Sequence, residues 1–216
     1  MTRTIIEHAM LVGAKTAIRD CDWFAEIGER IAYRDAQGSL DLPLPQMPGA
    51  HQADNAALAV AMLRHQSAVA VSPEAMSQGI RAARWPARLQ LLSAGPLTAL
   101  VPGRKVWLDG GHNPDAGEAI ARYFGDRPVH LIVGMLANKN PDAIVAPLRR
   151  LLESLTVVPI AGSEAHPAAA FGANARPAPD VATALAALQH DGYDILIAGS
   201  LYLAGEVLKL NRELPD

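Results

Sequence analysis

The chain has 216 residues, 19 basic and 22 acidic, with a formal charge of −3, and half of its residues are hydrophobic. Such a composition supports one large domain or two small ones around a sizeable core, and it excludes general disorder. The charge balance gives no basic surface for non-specific nucleic-acid binding, and the single cysteine, Cys21, excludes a disulfide framework or a Cys-rich zinc site and fits a reducing compartment.

The first residues carry no secretory signal, because Glu7 and His8 interrupt the apolar run. The longest apolar stretch, residues 56–63, falls far short of the ~20 residues that span a bilayer. A soluble, cytoplasmic protein is expected, with no membrane partner. Residues 3–13 read as a helix from the spacing of Ile5, Ile6, Ala9 and Val12. Residues 16–19 and 31–34 read as short strands, and the turn at Asp35-Ala36-Gln37-Gly38 predicts a returning strand over 39–44. A helix over 51–67 presents Asn55, Leu58, Ala59, Met62 and Leu63 on one face. A second helix begins with Ser72 as its N-cap and Pro73 at its first position, and it ends near Trp85-Pro86.

From residue 87 the rhythm changes. Unalternating apolar runs at 106–108, 129–133, 155–159 and 195–198 read as strands buried on both faces. Helical stretches at 115–124, 141–152, 181–190 and 201–210 lie between or after them. This alternation predicts an α/β, Rossmann-like, mainly parallel sheet flanked by helices. A boundary falls near residues 85–87, and residues 1–85 have too few strands for a full sheet of their own. The Ala/Pro-rich stretch 165–179 reads as a surface loop with one short helix or strand.

Four segments carry candidate chemistry. Gly13-Ala14-Lys15-Thr16 is not among them, because a phosphate-binding loop needs glycine directly before its lysine. In Val106-Trp107-Leu108-Asp109-Gly110-Gly111-His112-Asn113-Pro114-Asp115 a buried strand ends in Asp109 and a helix begins at or after Pro114. Ligand sites in α/β sheets form at such strand ends, beside helix N-termini that favour anions. The competing reading makes Asp109 a turn cap and His112 a solvated loop residue. Too few ligands lie nearby for zinc. His51-Gln52-Ala53-Asp54-Asn55 opens a helix, Arg84-Trp85-Pro86-Ala87-Arg88-Leu89-Gln90 sets an arginine past a rigid corner, and Gly199-Ser200-Leu201-Tyr202 follows another buried strand. Taken singly, Asn55 and Ser200 also read as helix caps and Arg88 as a surface cation.

Taken together, HQADNAAL, RWPARLQ, LDGGHNPDA and GSLYLAGEV, in that order, resemble the C-terminal half of the folylpolyglutamate synthase/dihydrofolate synthase family within the Mur ligase superfamily. LPLPQMPGAHQ and HLIVGMLANKN fit as well. The resemblance covers nearly the whole chain and is weaker over 1–38 and 160–180. Asn138-Lys139-Asn140 departs from the usual Asp-Lys-Asp, and Gly111 stands where Ala is usual. Both are expected to be tolerated, with Asn138 altering a contact near the nucleotide.

The resemblance implies that residues 1–85 are the last part of a Mur-type ATPase domain and 86–216 a C-terminal glutamate-ligase domain. The family's phosphate loop and magnesium ligands have no counterpart here, so the chain is expected to be a fragment or truncated relative, inactive alone. The implied parent uses ATP and magnesium to phosphorylate a dihydropteroate or folate carboxylate, and the amine of L-glutamate then displaces phosphate. By resemblance, Asn55 contacts adenine, Arg88 reaches the phosphates and Asp109 lies on the nucleotide side. His112 and Ser200 belong to the glutamate pocket, with Tyr202 a neighbour. A non-catalytic binding module built on the same domain is the alternative. A Mur-type ligase of cell-wall precursors is a further one, against which HQADNAAL and RWPARLQ argue. Apolar surface on residues 1–85 is expected to promote self-association.

Overall fold

The computed structural model describes residues 2–213, which fall into two compact units divided between Arg84 and Trp85, with Met47–Gly49 grouped with the second. No helix among the described residues is long and apolar enough to cross a membrane.

The first unit contains α1 (Thr2–Leu11), an antiparallel sheet of β1 (Trp23–Ile27), β2 (Ile31–Asp35) and β3 (Gly38–Leu42), and the helices α2 (His51–Arg64) and α3 (Pro73–Ala82). Its core gathers Trp23, Ile31, Tyr33 and Leu42 from the sheet with Ala57, Val60, Met76 and Ile80 from the two helices. Arg64 fixes α2 to the hairpin through two 2.6 Å bonds to the fully buried Asp35, which also accepts from Tyr33 Oη at 3.0 Å. Arg64 chiefly, with further hydrogen bonds from Gln37 and Tyr33, outweighs burial and holds the Asp35 carboxyl down at about 2. Ser72 Oγ accepts from Ala75 N at the start of α3, with Pro73 in the first turn, as its sequence predicts.

The strand expected at 16–19 is absent, apart from an isolated bridge between Arg19 and Trp23. Asp22 accepts from Ile18 N at 2.7 Å, and Asp20 adopts a left-handed φ of 65°, so the chain turns there instead of extending. The strand lies at β1, whose burial fades along its length without alternation and so leaves no period in the sequence.

The second unit holds a six-stranded sheet in the order β4-β5-β9-β6-β7-β8, formed by β4 (Gln90–Leu91), β5 (Val106–Asp109), β6 (Val129–Val133), β7 (Leu152–Val157), β8 (Arg176–Pro177) and β9 (Asp194–Ala198). All neighbours are parallel except β4, which runs antiparallel to β5. The helices are α4 (Pro114–Phe124), α5 (Asp142–Leu148), α6 (Val181–Ala186) and α7 (Leu201–Leu210). Alternate strand residues enter opposite cores, as the two-residue period of a strand requires. Val106, Leu108, Ile195 and Ile197 pack with α6 and α7 residues, whereas Trp107, Leu131, Val133 and Leu196 pack with α4 and α5 residues. Burial on both faces explains the unalternating apolar runs.

Several boundaries differ from the sequence reading. α5 stops at Leu148, where Leu151 N closes a tight turn onto Leu148 O, and β7 begins three residues earlier than expected. α6 ends at Ala186 rather than near 190. The 165–179 stretch holds both a short 3-10 turn (Ala168–Phe171) and β8.

Candidate functional site

β5 and β9 are adjacent and parallel, with Asp109 paired in register with Ala198, so both chains leave the sheet at the same end. The β5 exit runs through Gly110, Gly111 and His112 into α4, and the β9 exit through Gly199 and Ser200 into α7. Two helix N-termini therefore begin beside neighbouring strand ends, a setting that favours negative charge. Asn113 Oδ1 caps α4 by accepting from Ala116 N at 2.9 Å, and the buried Ser200 caps α7 by accepting from Tyr202 N at 3.1 Å. Tyr202 itself is exposed.

The glycines here serve close approach. A Cβ on Gly110 would run into Leu201 Cδ2, and one on Gly111 would lie 2.6 Å from Ala116 Cβ and 2.8 Å from Asp109 Oδ1. Alanine at 111 would therefore require the start of α4 to shift in this chain. Gly199 is constrained twice, by a left-handed φ of 108° and by Gly134 O, 2.7 Å from where its Cβ would be.

Asp109 is buried, and each carboxylate oxygen accepts a backbone N–H: Oδ2 from Leu89 at 2.9 Å and Oδ1 from Gly111 at 2.6 Å. His112 Nδ1–H donates to Gly110 O at 3.1 Å, which leaves Nε2 as the acceptor of the neutral ring. Arg88 is half-buried, and its guanidinium makes no hydrogen bond or ion pair among the described residues. Asp109 and Leu89 tie its segment to the end of β5. Structure thus brings Arg88, Asp109, His112 and Ser200 onto one unit, around two neighbouring strand ends. Asn55 belongs to the other unit, exposed on α2, where its amide donates to Gln52 Oε1 at 3.3 Å.

Ala87 and Leu89, on either side of Arg88, both have left-handed backbone, with φ of 56° and 45°. Such values cost about 1–3 kcal/mol each in a residue with a side chain. Sequence reasoning passed over this turn because it looks for glycine at such positions. A second polar cluster, at the opposite ends of the strands, was equally silent. There the buried His130 donates from Nε2 to Asp191 at 2.9 Å, and its Nδ1 shares a hydrogen bond with Ser154 Oγ at 2.7 Å. Burial alone would raise the Asp191 carboxyl, but bonds from His130 and Tyr193 N, with Arg104 alongside, hold it below its ordinary range. This cluster braces the α6–β9 connection.

A nucleotide phosphate needs cationic or N–H donors, and the partnerless Arg88 fits that need. A divalent cation needs several convergent oxygen or nitrogen ligands. Among the described residues no three His, Cys, Asp or Glu side chains converge on a common point.

No protein-family model matches the chain. The folylpolyglutamate synthase of Lacticaseibacillus casei is 33% identical over 226 aligned positions, covering 93% of this chain and 51% of that protein. The dihydrofolate synthase/folylpolyglutamate synthase of Escherichia coli is 32% identical over 168 positions, 75% of this chain and 37% of that protein. Among solved structures, the bifunctional synthase with Mn, AMPPNP and L-glutamate bound superposes with a TM-score of 0.77 at 27% identity, covering 96% of this chain and 50% of that one. The E. coli enzyme in complex with DHPP and ADP gives 0.76 at 28% identity, with the same coverage. The chain spans about half the length, or less, of these relatives.

Proposed function

We propose, from the premise that the chain belongs to the folylpolyglutamate/dihydrofolate synthase family, that it forms the glutamate-ligase portion of an ATP-dependent enzyme of the cytoplasm. Residues 1–85 correspond to the end of that enzyme's ATPase domain and 86–216 to its C-terminal domain. The reaction joins L-glutamate to dihydropteroate or a folate through an acyl phosphate. The observation that carries this reading is Arg88, a half-buried residue whose guanidinium has no hydrogen-bond or ion-pair partner among the described residues and whose neighbour Leu89 is tied to the end of β5.

Each residue has a distinct task. Arg88 offers bidentate, charge-assisted bonds to phosphate oxygens and offsets the charge that accumulates as phosphoryl transfer proceeds. Asp109 holds the Arg88 segment through Leu89 N and lies on the nucleotide side. Asn55 supplies an amide for an adenine edge. His112 and Ser200, at the starts of α4 and α7, hold the glutamate so that its amine is in line for attack. Magnesium, when bound, neutralises phosphate charge, and its ligands lie outside these residues. The chain by itself is inactive, and the exposed apolar residues of α1 and α2 favour self-association.

The test joins this chain to the half of the L. casei enzyme that it does not match and follows ADP release with ATP and glutamate varied separately. Glutamate-dependent release is expected with dihydropteroate or a reduced folate, and none from the 216-residue chain alone. Arg88→Ala should weaken ATP use at least about tenfold, roughly 1.4 kcal/mol, close to the lower end of the about 1.5–3 kcal/mol typical of charged hydrogen bonds. His112→Ala should mainly raise the glutamate requirement. Unchanged ATP kinetics in a folded Arg88→Ala protein would overturn the nucleotide site. ADP binding without turnover would favour a non-catalytic binding module.

A further inference from the structure

Arg88 stands at the crest of an unusual turn. Only four described non-glycine residues have left-handed backbone, and two of them, Ala87 and Leu89, flank it. Their side chains are buried in different cores, Ala87 among the α6–α7 residues and Leu89 among the α4–α5 residues. The two anchors hold the chain on either side of Arg88 and leave the arginine between them.

Three bonds close the turn. Gly110 N donates to Ala87 O at 2.8 Å, Leu89 N to Asp109 Oδ2 at 2.9 Å, and Ala87 N to the side-chain Oε1 of Gln90 at 2.9 Å. Gln90 is itself held, because its Nε2 donates to Glu213 Oε1 at 3.0 Å. Glu213 in turn accepts from Ser93 N at 3.0 Å, Ser93 Oγ at 3.1 Å and Asn211 Nδ2 at 3.1 Å. A continuous chain of bonds thus runs from the residues after α7 to the backbone next to Arg88.

We propose that Gln90, braced by Glu213, is a positioning residue that holds the left-handed turn and thereby fixes the backbone from which Arg88 reaches a phosphate oxygen. Rigid support is needed because a mobile backbone would lose conformational freedom on binding, whereas a pre-ordered one does not. This assignment rests on the nucleotide role given to Arg88 above. Removing the Gln90 amide leaves Ala87 N without its acceptor and the strained turn free to relax.

The experiment uses the full chain and two readouts. Trypsin cleavage after Arg88, followed by mass spectrometry under native conditions, reports the turn without reference to any ligand. ADP titration, with magnesium chloride present, reports the guanidinium. Gln90→Ala should speed cleavage at Arg88 at least tenfold and weaken ADP at least fivefold, with the global unfolding midpoint nearly unchanged. The reciprocal pair Gln90→Glu with Glu213→Gln restores a donor and an acceptor in exchanged positions, and it should return both readouts to within about twofold of the parent. Unaltered cleavage in Gln90→Ala, or no recovery in the exchanged pair, overturns the proposal. An Arg88→Ala chain that binds ADP like the parent, or a parent that binds none, overturns the nucleotide reading instead and leaves the turn to be judged by trypsin.

Discussion

The two units bury their sheets in different ways. The six-stranded sheet is covered on both faces, and β6 is buried at every position. The three-stranded sheet contributes to one core only, and α1 leaves Ile5, Met10 and Leu11 between 60% and 83% exposed. One consequence concerns self-sufficiency. A sheet covered on two sides removes apolar area from water twice per strand, whereas a small unit covered on one side gains less against the same entropy cost per residue.

Severing the chain between Arg84 and Trp85 gives the largest expected effect. Residues 85–216 should keep a cooperative denaturant transition by circular dichroism, and residues 1–84 should lose theirs. A sharp, reversible transition in the 1–84 piece would break the comparison.

Within the smaller unit, Arg64→Ala should cost about 3–5 kcal/mol, because it strands the buried Asp35 carboxylate without its partner. The same pair sets an acid limb. The folded carboxyl lies at about 2, below its ordinary value near 4, so its contribution is complete above about pH 4 and is lost as pH falls toward 2. Urea melts at pH 7, 4 and 2.5 should show that loss in the parent and a flatter profile in Arg64→Ala.

Gly199→Ala probes the larger unit. A Cβ there meets Gly134 O and forces a left-handed alanine, for an expected loss of about 2–3 kcal/mol in its melting transition. The smallest effects come from matched caps, Ser72→Ala in the first unit and Asn113→Ala in the second. Each should cost about 1 kcal/mol. Equal losses would show that local helix chemistry is the same in both units and that the difference between them lies in packing.

What the sequence disclosed follows the same division. β5, β6, β7 and β9 were legible because burial on both faces writes an unbroken apolar run, and the start of α4 was legible at Pro114, which acts locally. Two neighbouring strand ends were legible, since Asp109 closes the apolar run of β5 and Gly199-Ser200 follows that of β9. The turn around Arg88 was not, because Ala87 and Leu89 hold their backbone through bonds to Gln90 and Asp109 that no local propensity encodes. β1 was missed for want of alternation, and β4 and β8, two residues each, are too short to write a period.

Those two short strands also bear on how the chain behaves in a crowded solution. The six-stranded sheet terminates on each side in a pair of residues, one of them Pro177, which has no N–H to offer. Little backbone is therefore left to template the addition of a foreign strand, and the large sheet is a poor seed for fibrous polymerisation. In the smaller sheet both outermost strands run for five residues, so growth by strand addition would begin there.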